Sequence, residues 1–275
     1  MKSPFPGRAR PSSFTLPEVL VAVALMTIMV SFLGTLLASV CAISTSGHQD
    51  AENSSNARAL LDLMSQELES GVNRSDLTNW ISWDGASSTL GFFTRCVGSA
   101  VSPAPPSASS YRGLSFVEYT VSRTAAAASL NRGDHACLWS DAPSGSLPLG
   151  YPNPAAPAPG PSDVLDGVVL FQVTFLQQDG SYATAYSGTN SIAVGVSLAL
   201  VDSVALRQLL LSGKVQTLAA ALEGNYGGNP TNAVSPQTAW QSAVDTRNVL
   251  NGYPLRVKTG LRFFERFVDI PRAGL

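Results

Sequence analysis

The chain changes its hydrophobic pattern once, and that change divides it. From Val19 to Ile43 there is no charged residue, and Glu18 stands alone at the entrance to this run. An apolar stretch of about 18 residues or more is long enough to cross a bilayer as a helix. After a polar patch over 44–56, apolar residues return at three- and four-residue steps: Ala57, Leu60, Leu61, Met64, Leu68 and Val72. That spacing lays one apolar stripe along a helix. Gly71 and Asn73 are the stop signals. The pattern therefore predicts one helix from Thr15 to about Val72, on the order of 85 Å long at 1.5 Å per residue. Its first half is apolar all round, which suits lipid or a subunit bundle, and its second half is amphipathic, which suits packing on its own domain. Ser44 to Gly47 is the weak point of this helix, where it could bend or break.

Beyond the helix the period shortens towards two. Strands are predicted over 89–97, 114–121, 168–176, 192–200 and 261–270. The clearest is 192–200, with Ile192, Val194, Val196, Leu198 and Leu200 on one face and Ala193, Gly195, Ser197 and Ala199 on the other. The small residues predict close packing there, with the first helix as the expected neighbour. A second helix is predicted over 203–222, weakened at Gly213, and a shorter one over 237–250. Proline-rich stretches at 99–110 and 141–163 read as loops, and Tyr226 to Pro230 reads as a turn. The fold class is α+β, a long N-terminal helix on an antiparallel sheet with an additional helix. The domain organisation is a basic leader over 1–13, a transmembrane half over 14–43, an amphipathic half over 44–72 and an extracytoplasmic globular domain over 73–275.

Charge makes the N-terminus specific. Lys2, Arg8 and Arg10 precede the apolar run, and the positive-inside rule puts them on the cytoplasmic side. A lone acid in a membrane segment costs about 2.5–3.5 kcal/mol on insertion scales, so Glu18 needs a partner. Cleavage between Ser13 and Phe14 would create one: a free α-amine four residues before Glu18, able to pair with Glu18 of the same or a neighbouring copy at low dielectric.

The segment Ser13-Phe14-Thr15-Leu16-Pro17-Glu18-Val19-Leu20-Val21-Ala22 resembles the processing site of type IV prepilins and type II secretion pseudopilins. The resemblance is specific over about residues 8–43. It implies a pilin-like fold and no cofactor. It implies that a prepilin peptidase/methyltransferase cuts after Ser13 and methylates Phe14, and that Glu18 is the assembly acid. It further implies partners in the inner membrane and in other pilin or pseudopilin subunits, met through the N-terminal helix. The family usually carries Gly before the cut, where this chain has Ser13. Pro17 suits the first helical turn, which has no intrahelical N–H bond to lose there. The helix end at Ala57–Val72, the passage from Leu200 into a helix and the closing 262–272 segment bear a fainter likeness to minor, tip-proximal subunits. The competing expectation is a signal anchor that only tethers a binding or enzymatic domain. It accounts for the basic end but not for Glu18. A cleaved secretory signal has a shorter apolar core, roughly 7–15 residues.

Composition narrows the chemistry. The chain has 275 residues, 13% of them charged, with a net charge of −2. Removal of Lys2, Arg8 and Arg10 from the 17 basic residues leaves 14 against 19 acidic ones, a net of −5. A mildly acidic body lacks the basic face that nucleic-acid binding needs. Cys41 lies in the apolar run, and Cys96 and Cys137 are the pair available for a disulfide in an oxidising compartment. His48 and His135 show no metal-binding spacing, so no metal is expected. No nucleophile elbow or phosphate loop occurs, and no enzymatic activity is expected. Asp163 and Asp166 read as turn residues, with calcium binding as the alternative that the resemblance suggests. Asp179-Gly180 reads as a hairpin turn. Trp80, Trp83, Phe92 and Phe93 read as packing residues ahead of a ligand platform.

Overall fold

A computed structural model describes residues 15–73, 81–85, 88–95, 111–138, 162–188, 190–226, 234–246 and 248–270. The chain divides into two compact units, Met1–Gln49 and Asp50–Leu275. A single helix, α1 (Leu16–Glu69), begins in the first and ends in the second. It runs without a break through Ser44 to Gly47. The Thr45 hydroxyl donates to the Cys41 carbonyl, so this polar residue is satisfied by the helix and does not open it.

In the second unit, two antiparallel sheets follow α1. The first contains β1 (Ile81–Asp84), β2 (Thr89–Thr94), β3 (Tyr111–Arg123), β4 (Ala128–Leu138) and β5 (Ser162–Asp166), adjacent in chain order. The second contains β6 (Val168–Gln177), β7 (Tyr182–Ala183), β8 (Ser191–Leu200) and β9 (Arg262–Asp269), in the order β7-β6-β8-β9. Between β8 and β9 the chain forms α2 (Ser203–Leu211), α3 (Val215–Tyr226), α4 (Pro236–Thr246) and α5 (Leu255–Gly260). The expected α+β fold with a helix against antiparallel sheet is present, with two sheets where the sequence suggested one.

All six residues of the predicted stripe from Ala57 to Val72 are buried, five of them on α1 and Val72 just beyond its end. They join Phe92, Tyr119 and Leu130 of the first sheet and Phe171, Val194, Val196 and Leu198 of the second in one core. A second core lies on the opposite face of the second sheet, where Leu170 and Ala199 meet Leu209, Leu218, Leu222, Trp240 and Val257. This corrects the expectation for β8. Its large apolar face meets α1, and on its small face Ala199 meets the helices that follow. The stripe of α1 is built of leucine and methionine and fills the wider gap, while the short helices approach the sheet closely.

The predicted helix over 203–222 is two helices. Asp202, fully buried, caps α2 by accepting from Ala205 N at 2.8 Å and forms an ion pair at 3.0 Å with Arg256 of α5. At the other end Lys214 N donates to Leu209 O and Gly213 N to Leu210 O, the paired bonds that close a helix around a left-handed residue. Gly213 supplies that residue, with φ +64. The pair Asp163 and Asp166, expected as turn residues, lies in β5, and His135 lies in β4, a strand the sequence did not predict. The run Arg132-Gly133-Asp134 hides the strand because its two charged residues pair within the protein. The loops at 99–110 and 141–161 and the turn at 227–230 lie outside the described residues.

Gly167 joins the two sheets. Its N–H donates to Ala128 O and its carbonyl accepts from Val201 N. It adopts φ +82, and a Cβ there would collide with the Val201 carbonyl. A left-handed conformation costs a side chain about 1–2 kcal/mol before any clash. Gly167→Ala is therefore expected to lower stability by about 2 kcal/mol or more, measured by denaturant unfolding. An unchanged unfolding midpoint would show that the junction tolerates a side chain.

Candidate assembly site

The site marked by the sequence is the N-terminal end of α1, and it is built from helix-start chemistry. Thr15 precedes the helix, and its carbonyl accepts from Glu18 N at 3.0 Å and Val19 N at 3.2 Å. Pro17 lies in the first turn, where no intrahelical donor is lost. Glu18 is the acid of that turn, where the helix dipole favours a negative charge. Its side chain is exposed. Ser13 and Phe14 lie outside the described residues.

From Leu16 to Ile43, every described residue is exposed, including Met26 at 69% and Leu37 at 66%. The most apolar window of α1 has a mean hydropathy of 2.5, and no part of it is buried by the rest of the chain. The helix is thus long and apolar enough to cross a membrane, and it presents that surface outward. Its polar side chains are settled within the helix. Thr27 donates to Ala24 O, Ser31 to Thr27 O, Thr35 to Phe32 O and Ser39 to Thr35 O, at 2.8–2.9 Å. In an apolar medium such internal bonds remove the cost of unpaired hydroxyls. Cys41 is an exposed free thiol.

Sequence reasoning missed the groups that hold the second half of α1. Glu67, nearly fully buried, accepts from Tyr119 Oη at 2.6 Å and from Arg132 Nε and Nη2 at 3.0 and 2.6 Å. Arg132 Nη1 donates to Asp134 Oδ2 at 2.9 Å. Burial, followed by the charge and hydrogen bond of Glu67, pushes the Tyr119 hydroxyl well above its ordinary pKa. Burial works against the Arg132 charge, but the hydrogen bonds of Glu67 and Asp134 and the charges of Glu67 and Tyr119 outweigh it and raise its pKa. Glu67 carried a signal that went unread: it is a charge adjoining Leu68 on the predicted buried stripe.

The remaining candidates are dispersed. His48 is exposed on α1. Asp163 accepts from Ser129 Oγ at 3.1 Å. Among the described residues no three His, Cys, Asp or Glu side chains gather as a metal site would require. Asp179 caps the expected turn by accepting from Ser181 N and Oγ, and these bonds hold its carboxyl below the usual range. Trp83 packs edge-on against Phe171, and Phe93 against Phe116. Trp80, Cys96 and the side chains of His135 and Cys137 lie outside what is described.

No protein-family model matches the chain, and no curated protein sequence matches it. Among solved structures, a type IV-like pilin from Thermus thermophilus aligns over 80% of this chain and 98% of its own, at 15% identity and a TM-score of 0.40. A likeness of that order carries no functional weight.

Proposed function

We propose that this protein is a prepilin-like subunit that a prepilin peptidase/methyltransferase processes and that then assembles, as a minor component, into a type IV pilus or type II secretion pseudopilus. The observation that carries this reading is the combination at the start of α1. A single exposed carboxylate, Glu18, heads a helix whose apolar half has no cover from its own chain, directly after the Ser13-Phe14-Thr15-Leu16-Pro17 sequence. Before assembly, the apolar half of α1 sits in the inner membrane with residues 1–13 in the cytoplasm and the globular part outside. Within the filament, apolar helix halves of neighbouring subunits cover one another, and the new amine of Phe14 neutralises Glu18. The role is structural, and the protein is a substrate of enzymes.

The processing step has a direct test. Intact mass and N-terminal sequencing of the protein from the membrane fraction are expected to report a chain starting at N-methylated Phe14. A native chain that retains residues 1–13 contradicts the assembly reading and leaves α1 as a tether.

A further inference from the structure

The edge of the second sheet borders a groove whose residues lie outside the stretch around Glu18. β9 ends the order β7-β6-β8-β9, and no described strand lies beyond it. Ile270 N donates to Ile192 O, and Ala193 lies opposite Asp269. Alternation along an antiparallel ladder then directs the backbone of Phe263, Glu265, Phe267 and Asp269 away from β8. The Phe263 carbonyl agrees, since it accepts from Gln237 Nε2 on the outer side at 3.4 Å.

A groove of about 340 Å³ runs along this edge. Arg58 and Leu61 of α1 form one wall, Gln237 of α4 forms the other, and β9 from Phe263 to Arg266 is the floor. The charges in it are unequally committed. Arg262 pairs with Asp50 at 3.5 Å and Arg266 pairs with Asp62. Glu265 accepts from Ser197 Oγ at 2.7 Å and from Gln237 N at 3.5 Å. Among the described residues Arg58 has no ion-pair partner, and its side chain is exposed. The uncommitted charge of the groove is thus positive and lies on its α1 wall.

We propose that this groove takes an extended peptide segment of another protein, which adds as a strand to β9 and directs an acidic side chain to Arg58. Main-chain bonds to Glu265 and Phe267 would supply affinity, and the carboxylate would supply selectivity. A second copy of β9 is a poor occupant. Two-fold antiparallel pairing centred on its middle residues sets Glu265 against Glu265 or Arg266 against Arg266, and like charges directly opposite are destabilising.

The test uses the full chain in detergent micelles. The probe is a seven-residue peptide of alternating valine and threonine with a central glutamate, and the control is its lysine counterpart. The glutamate peptide is expected to bind saturably and to slow amide exchange at Glu265 and Phe267. Arg58→Glu should weaken it at least tenfold and reverse the preference in favour of the lysine peptide. N-methylation at alternate peptide positions should abolish binding. The proposal is overturned if neither peptide binds at millimolar concentration or if Arg58→Glu leaves the preference unchanged. It also fails if these amides are already protected without peptide, because the edge is then covered by this chain or by a second copy.

Discussion

Under the proposed assembly role, Glu18→Ala is expected to leave the protein in the membrane but almost absent from filaments. The apolar run 19–43 is untouched by the substitution, so insertion continues, and removal of an acid from the helix end makes it no harder. Assembly would lose the opposite charge that, on this proposal, neutralises the Phe14 amine in a low-dielectric bundle. If the uncompensated amine costs as much as a lone carboxylate, incorporation falls roughly 100-fold, since each 1.4 kcal/mol is tenfold. Immunoblots of membrane and sheared-filament fractions measure both quantities. Glu18→Gln keeps the shape and removes the charge, so it should fail in the same way. Wild-type incorporation of the Gln variant would show that charge pairing is not what Glu18 provides, and would favour the tether reading.

Arg132→Met should be the most damaging substitution in the globular part. It leaves the Glu67 carboxylate buried, with Tyr119 as its remaining hydrogen-bond donor among the contacts described above. Removal of one partner from a buried ion pair costs about 3–5 kcal/mol. The lower end applies here because the Arg132 side chain is 21% exposed while that of Glu67 is 5% exposed. For a domain of roughly 200 residues, about 3 kcal/mol lowers the melting temperature by about 6–12 °C. Adding Glu67→Leu should recover part of the loss, because the buried charge is gone while the buried Tyr119 hydroxyl loses its acceptor. Thermal melts of the single and double variants test this. A single-variant loss below about 1 kcal/mol would mean that solvent already screens Glu67.

Local patterning made much of the architecture legible. The stripe Ala57–Val72 and the alternation in β8 declare a buried face without reference to any distant residue. The strand β4 was not legible, because Arg132 and Asp134 read as solvated loop residues until Glu67 is known to face them. Likewise, the helix over 203–222 has a continuous apolar period, and only the bonds closing on Gly213 show that the chain reverses there.

By itself the sequence determined that one helix carries an uncharged half and an amphipathic half, that one acid heads it, and that strands follow. Hydrophobic period and charge placement are properties of neighbouring residues. The tertiary structure alone decided which surfaces meet: two sheets hinged at Gly167, α1 on the large face of β8, Glu67 paired with Arg132 across 65 positions of chain, and β9 left at an edge. Ion pairs and packing depend on distances in space, which spacing along the chain does not encode until the cores have formed.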